Sequence, residues 1–340
     1  MMDWVAAQGF GLQVFLGFVA LAILILSSEK AVKEVVAIAD YFNLSATFMG
    51  MTVLSLATSI PEISSHYTAS VGILRGVLDF KIGSSIVLGA NIGSDVVQQT
   101  LILGLVVLLS GTLYFRRYFL WKSMIPMIGT TIMCIILGWD RTFSRWDGLI
   151  LFGTFILYTY YLYWDERKYY KKTPEEAEPP KKIQSRRDLA LAALIAVAAM
   201  TLTVFSAQIV LAITENVVRV TGLGGSFIGV VTLGVASALP ELTTALAGVH
   251  HNAHGVSIGT LVGSNITNPL VAIGGGALIS TYWAPKPLLY WDLPWETVTG
   301  AILWIILWFS KGKLRRLGAF YLIGLYVLYV VLRGMLFITD

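Results

Sequence analysis

Charge is scarce in this chain. Of its 340 residues only 13% are Asp, Glu, Lys or Arg, against roughly 25% in an average soluble domain. Cysteine is nearly absent: Cys134 stands alone, so no internal disulfide can form, and its apolar surroundings read as a small core position. No basic stretch opens the chain and no small-x-small site follows its first apolar run, so that run is expected to be retained. Apolar residues do not alternate with polar ones over strand lengths, which sets aside a membrane β-barrel. No nucleophile–base pair or metal-binding histidine motif stands within the apolar runs, so an enzyme is not expected. The net charge of +4 comes from loop lysines and arginines and does not imply a nucleic-acid partner.

What is abundant is apolar surface. Apolar residues make up 56% of the chain, and the mean hydropathy is +0.74. A soluble fold of this size could not cover that much, so the expected class is an all-α, multi-pass protein of the cell membrane, surrounded by lipid. Bilayer-length runs fall at 11–27, 45–73, 84–110, 118–138, 147–164, 189–213, 225–249, 256–281, 293–310 and 317–337. One long polar segment, 165–188, reads DERKYYKKTPEEAEPPKKIQSRRD. It separates a five-run half, 1–164, from a second, 189–340. Its prolines and mixed charge suit a surface linker. With that linker in the cytoplasm, 17 lysines and arginines fall on the cytoplasmic side and 7, including Arg333, on the other. The bias predicts both termini outside.

The halves share a pattern. Residues 48–62, FMGMTVLSLATSIPE, match 227–241, FIGVVTLGVASALPE, at Phe48/Phe227, Gly50/Gly229, Leu54/Leu233, Ala57/Ala236, Pro61/Pro240 and Glu62/Glu241. Residues 88–104, LGANIGSDVVQQTLILG, match 258–274, IGTLVGSNITNPLVAIG, at Gly89/Gly259, Gly93/Gly263, Ser94/Ser264 and Gly104/Gly274. Corresponding runs lie five spans apart. An odd number reverses direction, so the repeats enter the membrane from opposite faces, as in transporters whose site lies at the midplane.

Glu62 and Glu241 fall well inside their runs, where a carboxylate costs about 2.5–3.5 kcal/mol to insert. Pro61 and Pro240 precede them and cannot donate to the carbonyls of Ala57 and Ala236. A freed carbonyl beside Thr58, Ser59 and Glu62 gathers hard oxygens suited to Ca²⁺, Na⁺ or Mg²⁺. Two carboxylates match a divalent charge. Ser237 is the counterpart of Thr58, whereas Ala238 replaces Ser59. Ser94 and Gln98 lie one turn apart on one face, as do Ser264 and Asn268. Gly89, Gly93, Gly259 and Gly263 allow close helix approach.

TSIPE at 58–62 and SALPE at 237–241, each followed by a Gly-Ser element at 93–94 and 263–264, resemble the α-repeats of the cation/Ca²⁺ exchanger superfamily, with the sodium/calcium exchanger branch the nearer match. Five plus five spans with a loop between also agree. The resemblance implies ten helices in two inverted five-helix repeats. It implies Glu62 and Glu241 as central metal ligands, with Thr58, Ser59, Ser94, Gln98, Ser237, Ser264 and Asn268 completing the shell. It further implies Na⁺ moving in against Ca²⁺ by alternating access, with no cofactor and no obligate protein partner. The chain departs at Ala238, where the family usually has Ser, and at Gln98, where Asn is common. K⁺-using members tend to carry Asp at the place of Asn268, so K⁺ dependence is not expected.

Two other readings use the same carboxylates: an H⁺/Ca²⁺ antiporter and a glutamate-lined cation channel. Asp95 points about 100° away from Ser94 around the helix and could serve as a ligand, line a path or pair elsewhere. His66 could modulate the site or be an interior hydrogen-bonded residue. His250, His251 and His254 lack the spacing of a metal motif. Glu29, Lys30, Lys33 and Glu34 read as a solvated helix end.

Overall fold

The computed structural model describes residues 9–41, 49–169, 183–250 and 254–340. The chain is predominantly helical, and every apolar run carries helix. Helix α1 (Phe10–Tyr41) is followed by a π turn (Met49–Leu54), the short α2 (Ser55–Thr58) and α3 (Ile60–Leu74). Helix α4 (Phe80–Val97) passes through a π turn (Gln98–Ile102) into α5 (Leu103–Ser110). A further π turn (Leu120–Met124) leads into α6 (Ile125–Leu137), and α7 (Arg145–Tyr169) closes the first half.

The second half repeats these element types in order. Helix α8 (Arg186–Thr221) precedes α9 (Gly225–Ile228), a π turn (Gly229–Leu233), α10 (Gly234–Ser237) and α11 (Leu239–His250). Helix α12 (His254–Thr267) passes through a π turn (Asn268–Ile273) into α13 (Gly274–Ile279). A π turn (Leu288–Asp292) leads into α14 (Leu293–Phe309), and α15 (Arg316–Leu336) follows. Pro126 and Pro294 occupy the same place, just inside α6 and α14, where a missing N–H costs little.

Two short antiparallel ribbons tie the halves together. Strand β1 (Thr112–Tyr114) pairs with β4 (Lys313–Arg315), and β2 (Thr142–Phe143) with β3 (Tyr282–Trp283). The glycine-bearing helices also cross between halves. A Cβ on Gly93 would lie 2.6 Å from the Cα of Val230, on the broken helix of the second half. One on Gly263 would lie 3.1 Å from the Cα of Met51, on the broken helix of the first. Only glycine allows backbones this close.

Six helices among the described residues are long and apolar enough to cross a membrane: Gly11–Ala31, Phe80–Ser110, Arg117–Leu137, Arg186–Thr221, Gly225–Leu246 and Arg316–Leu336. Large apolar side chains face outward, among them Leu317 (83% exposed) and Phe309 (80%). Water would not tolerate such a continuous apolar surface, but lipid does.

Four expectations change. Helix α1 does not end near residue 27 but runs to Tyr41. It packs along α8, with Ser27 Oγ and Thr203 Oγ1 2.8 Å apart, and Ala31 joins Ala57, Ile60 and Ala199 in a buried cluster. The pair Glu29–Lys33 stays on the surface, but Glu34 is buried, with Lys30 Nζ 2.8 Å from its Oε1. A helix packed on one side buries whatever falls on that side. Arg333 is not a loop charge either. It is fully buried, with Nε 3.0 Å from both carboxylate oxygens of Asp292. Finally, α7 runs beyond residue 164 to Tyr169, and α8 starts at Arg186. Residues 170–182 of the 165–188 segment, and His251, lie outside the described residues.

Candidate functional site

Both proline–glutamate helices break at the same point. Ser59 separates α2 from α3 with φ −77° and ψ 7°, and Ala238 separates α10 from α11 with φ −79° and ψ −1°. Pro61 and Pro240 sit in the first turn beyond each break and have no N–H to offer the carbonyls of Ala57 and Ala236. Glu62 and Glu241 therefore stand in the first turns of α3 and α11, facing inward. A carboxylate is favoured at such a helix start by the aligned peptide dipoles.

All nine sequence-predicted site residues, Thr58, Ser59, Glu62, Ser94, Gln98, Ser237, Glu241, Ser264 and Asn268, are buried. Seven of them gather in two sets, one at each glutamate. Ser94 Oγ donates to Glu62 Oε1 at 2.7 Å, and Gln98 Nε2 donates to Ser94 Oγ at 3.0 Å. Ser237 approaches Glu62 from the other half without closing a hydrogen bond. Thr58 and Ser264, whose hydroxyls are 3.2 Å apart, approach Glu241 in the same way. Each glutamate is thus flanked by the serine of its own half and by the pre-proline hydroxyl of the opposite half. Exchanging the halves maps one set onto the other.

The other two differ. Ser59 Oγ is buried without a hydrogen-bond partner. Asn268 turns its amide to Asp95, with Nδ2 donating to Oδ1 at 2.7 Å. Asp95 is thus paired with a predicted ligand. Several oxygens meet no donor within the described residues: Glu62 Oε2, both Glu241 oxygens, Gln98 Oε1 and Asn268 Oδ1. Buried acceptors that meet no protein donor are suited to receive a cation. Among the described residues no three side chains of His, Cys, Asp or Glu cluster as a metal centre. A cation here would rely on two carboxylates supplemented by neutral oxygens, which is how Ca²⁺ and Na⁺ are held.

A cavity of about 20 Å³ touches Glu62 and Ser237, walled by α1, α3, α4 and α8 through Leu24, His66, Ala90 and Val210. A smaller one touches Gln98 and Asn265 from the far end of α4, beside Leu103 and Leu261. His66 takes its interior reading: Nδ1 lies 3.2 Å from the Tyr282 hydroxyl, which donates to the His66 carbonyl at 2.9 Å.

Sequence reasoning passed over the polar residues of α14 and α15. Glu296 is buried, and its backbone carbonyl accepts from Gln99. Asp292 is held by Arg333 and by the Tyr329 hydroxyl, which donates at 2.7 Å. They escaped notice because they have no match in the first half: the positions corresponding to Asp292 and Glu296 are Met124 and Ile128. The available signal was any carboxylate inside an apolar run, repeated or not.

Comparison with known proteins agrees with this architecture. The family model described as sodium/calcium exchanger protein matches residues 12–164 and 191–335. The sodium/calcium exchanger MaX1 of Methanosarcina acetivorans is 22% identical over 350 residues, covering 92% of this chain and 95% of that protein. The inner membrane protein YrbG of Escherichia coli is 24% identical over 271 residues, covering 77% and 78%. A solved structure of the sodium-calcium exchanger NCX_Mj superposes with a TM-score of 0.63 at 21% identity, covering 94% of this chain and 98% of that one.

Proposed function

The chain belongs to the sodium/calcium exchanger protein family, and from that premise we propose that it exchanges Ca²⁺ for Na⁺ across the membrane at a site centred on Glu62 and Glu241. The scaffold in this reading is ten helices in two inverted five-helix repeats, 1–164 and 189–340, joined by a cytoplasmic linker. The carrying observation is the exchanged flanking of the two glutamates, with Ser94 and Ser237 at one and Ser264 and Thr58 at the other. The recurring element order and the reciprocal crossings of Gly93 and Gly263 support the same reading.

The chemistry follows from charge and donor count. A Ca²⁺ ion takes six to eight oxygens. Glu62 and Glu241 offer four, Thr58 and Ser237 two hydroxyls, and Ala57 and Ala236 two carbonyls, each of which accepts one backbone N–H at its helix break and keeps a second lone pair. The divalent charge cancels the two carboxylates. Na⁺ needs only a cage of oxygens, and Ser59, Ser94, Gln98, Ser264 and Asn268 extend the donor set on either side. Without cations two bare charges would sit in the low-dielectric interior, which opposes reorientation. Loaded carriers then change sides and the transport is an exchange. The cavity touching Glu62 and Ser237 leaves room for a small occupant beside them. NCX_Mj itself was soaked with Na⁺ and either Sr²⁺ or Ca²⁺, ions of the class proposed here.

The test is ⁴⁵Ca²⁺ uptake into proteoliposomes under separately imposed Na⁺, K⁺ and pH gradients. An Na⁺ gradient at fixed pH should drive uptake. If a pH gradient sustains the full rate with all Na⁺ replaced by an inert organic cation, the H⁺/Ca²⁺ reading replaces this one. Uptake that needs no counter-ion and no gradient would instead favour a channel.

A further inference from the structure

Glu296 is 1% exposed, and neither of its carboxylate oxygens meets a donor among the described residues. It lies in the first turn of α14, just past Pro294. Gln99 Nε2 donates to the Glu296 carbonyl at 3.0 Å and to Thr299 Oγ1 at 2.5 Å, tying α14 to the π turn after α4. One turn further on, Leu103 and Leu303 line a common cavity. Contacts advance the same way on both helices, so the two run in the same direction. Asp95 precedes Gln99 by one turn. Helical side chains lean toward the N-terminus, which carries the Glu296 carboxylate toward the level of Asp95. Gly300, one turn after Glu296, lies against the same glutamine, a Cβ there standing 3.0 Å from Gln99 Oε1, so Glu296 and Asp95 stand on the facing sides of the two helices, one turn before that contact.

Two amides complete the surroundings of Asp95. Asn268 donates Nδ2 to its Oδ1 at 2.7 Å, and Asn265 donates Nδ2 to its main-chain oxygen at 3.2 Å. The amide oxygens of both asparagines meet no donor. Asp95, Asn265, Asn268 and Glu296 are each 2% exposed or less. Buried charges are normally paired or coordinate a metal, and no basic side chain bonds to Asp95 or Glu296 among the described residues.

We propose that Asp95 and Glu296, with the amide oxygens of Asn265 and Asn268, form a second binding position for a hard metal cation beside the Glu62–Glu241 pair. Two carboxylates and two neutral oxygens, with no sulfur or imidazole, select hard cations over softer metals. The position is single, since Ile128 stands where the first half would need its own copy of Glu296. It shares only Asn268 with the repeat site and stands whether or not that site is read correctly.

The experiment uses the full chain purified in detergent and equilibrium binding of ⁴⁵Ca²⁺ and, separately, ²²Na⁺. In the double variant Glu62→Gln/Glu241→Gln, a saturable class of binding for at least one of the two ions should remain. Adding Glu296→Gln should weaken that remainder at least tenfold, and Asp95→Asn should do the same. Each variant must elute as a single species. If the Glu296 variant does not, Asp95→Asn answers the question, because either change removes one of the pair's two charges. Loss of all saturable binding in the double variant overturns the proposal, as does residual binding indifferent to both further substitutions, which would mark Glu296 as a neutral, protonated side chain. Exchange flux in the double variant is read in parallel. Its persistence counts against the repeat site alone.

Discussion

The two halves of this molecule are alike where the repeated motifs meet and unlike one layer away. At the centre, Ser59 and Ala238 hold nearly the same backbone angles, and each glutamate lies near a hydroxyl of the other half. Around it, the second half adds Asp292, Glu296 and Arg333, all buried, where the first half is apolar at Met124 and Ile128. A site that must present itself to both faces of a membrane gains from equivalent halves, because each facing conformation can reuse the other's contacts. The flank is free of that constraint and can specialise.

The largest test of the likeness is charge removal at its centre. Glu62→Gln and Glu241→Gln should each reduce Ca²⁺ exchange by at least about 100-fold, since removing one member of a buried ionic contact costs about 3–5 kcal/mol. The substitutions preserve shape, so gel filtration should be unchanged. Near-normal ⁴⁵Ca²⁺ flux in either one, with loss in the other, would break the pairing of the halves.

Next are the crossings. Gly93→Ala places a methyl 2.6 Å from a backbone carbon of the opposite half, and Gly263→Ala one 2.8 Å from the Ser55 Cβ. Each should destabilise by about 1–3 kcal/mol, Gly93→Ala more, because its methyl comes closer to the opposite backbone. Thermal unfolding in detergent measures both, and an unchanged midpoint for Gly93→Ala would refute the close crossing.

A smaller effect distinguishes the two amides. Asn268 donates to Asp95 whereas Gln98 donates to Ser94. From the motif alone, Asn268→Asp adds a third carboxylate that tightens cation binding and slows release. The structure adds that the change also removes a donor and sets one carboxylate against another. Exchange should fall about tenfold, equivalent to ~1.4 kcal/mol. Gln98→Glu, facing a neutral hydroxyl rather than a second carboxylate, should fall less. Equal losses would count against the difference in partners.

The mildest change restores symmetry. Ala238→Ser supplies the hydroxyl that Ser59 provides in the first half. A net hydrogen bond contributes about 0.5–1.5 kcal/mol, so the Na⁺ concentration for half-maximal exchange should fall by a few-fold. Ser59→Ala should raise it by a similar factor. Opposite signs are the prediction, and the same sign in both would mean the two positions are not equivalent.

The motif residues were legible because buried carboxylates and helix-breaking prolines are rare in apolar runs, and a matched pair of both is rarer. Their contacts across the halves were not. Ser94 was visible as a one-turn neighbour of Gln98, but nothing along the chain says that Ser237, 175 positions after Glu62, faces that glutamate. Glu296 and Arg333 were invisible to a search for repeats, being unique to one half. Arg333 misled the loop count, because a charge near the end of an apolar run looks solvated until Asp292 is seen beside it.

The sequence by itself determined the membrane as solvent, the apolar runs that carry helix, and the four motifs that break or bring together those helices. These depend on local hydropathy, on proline's missing donor and on glycine's missing side chain, all carried by single residues. Only the tertiary structure decided which half supplies each partner: the glycines of one half against the broken helix of the other, Asn268 against Asp95, Gln99 against α14. Those pairings join residues many positions apart, and they exist because backbone and side-chain polar groups inside lipid must find their partners within the protein.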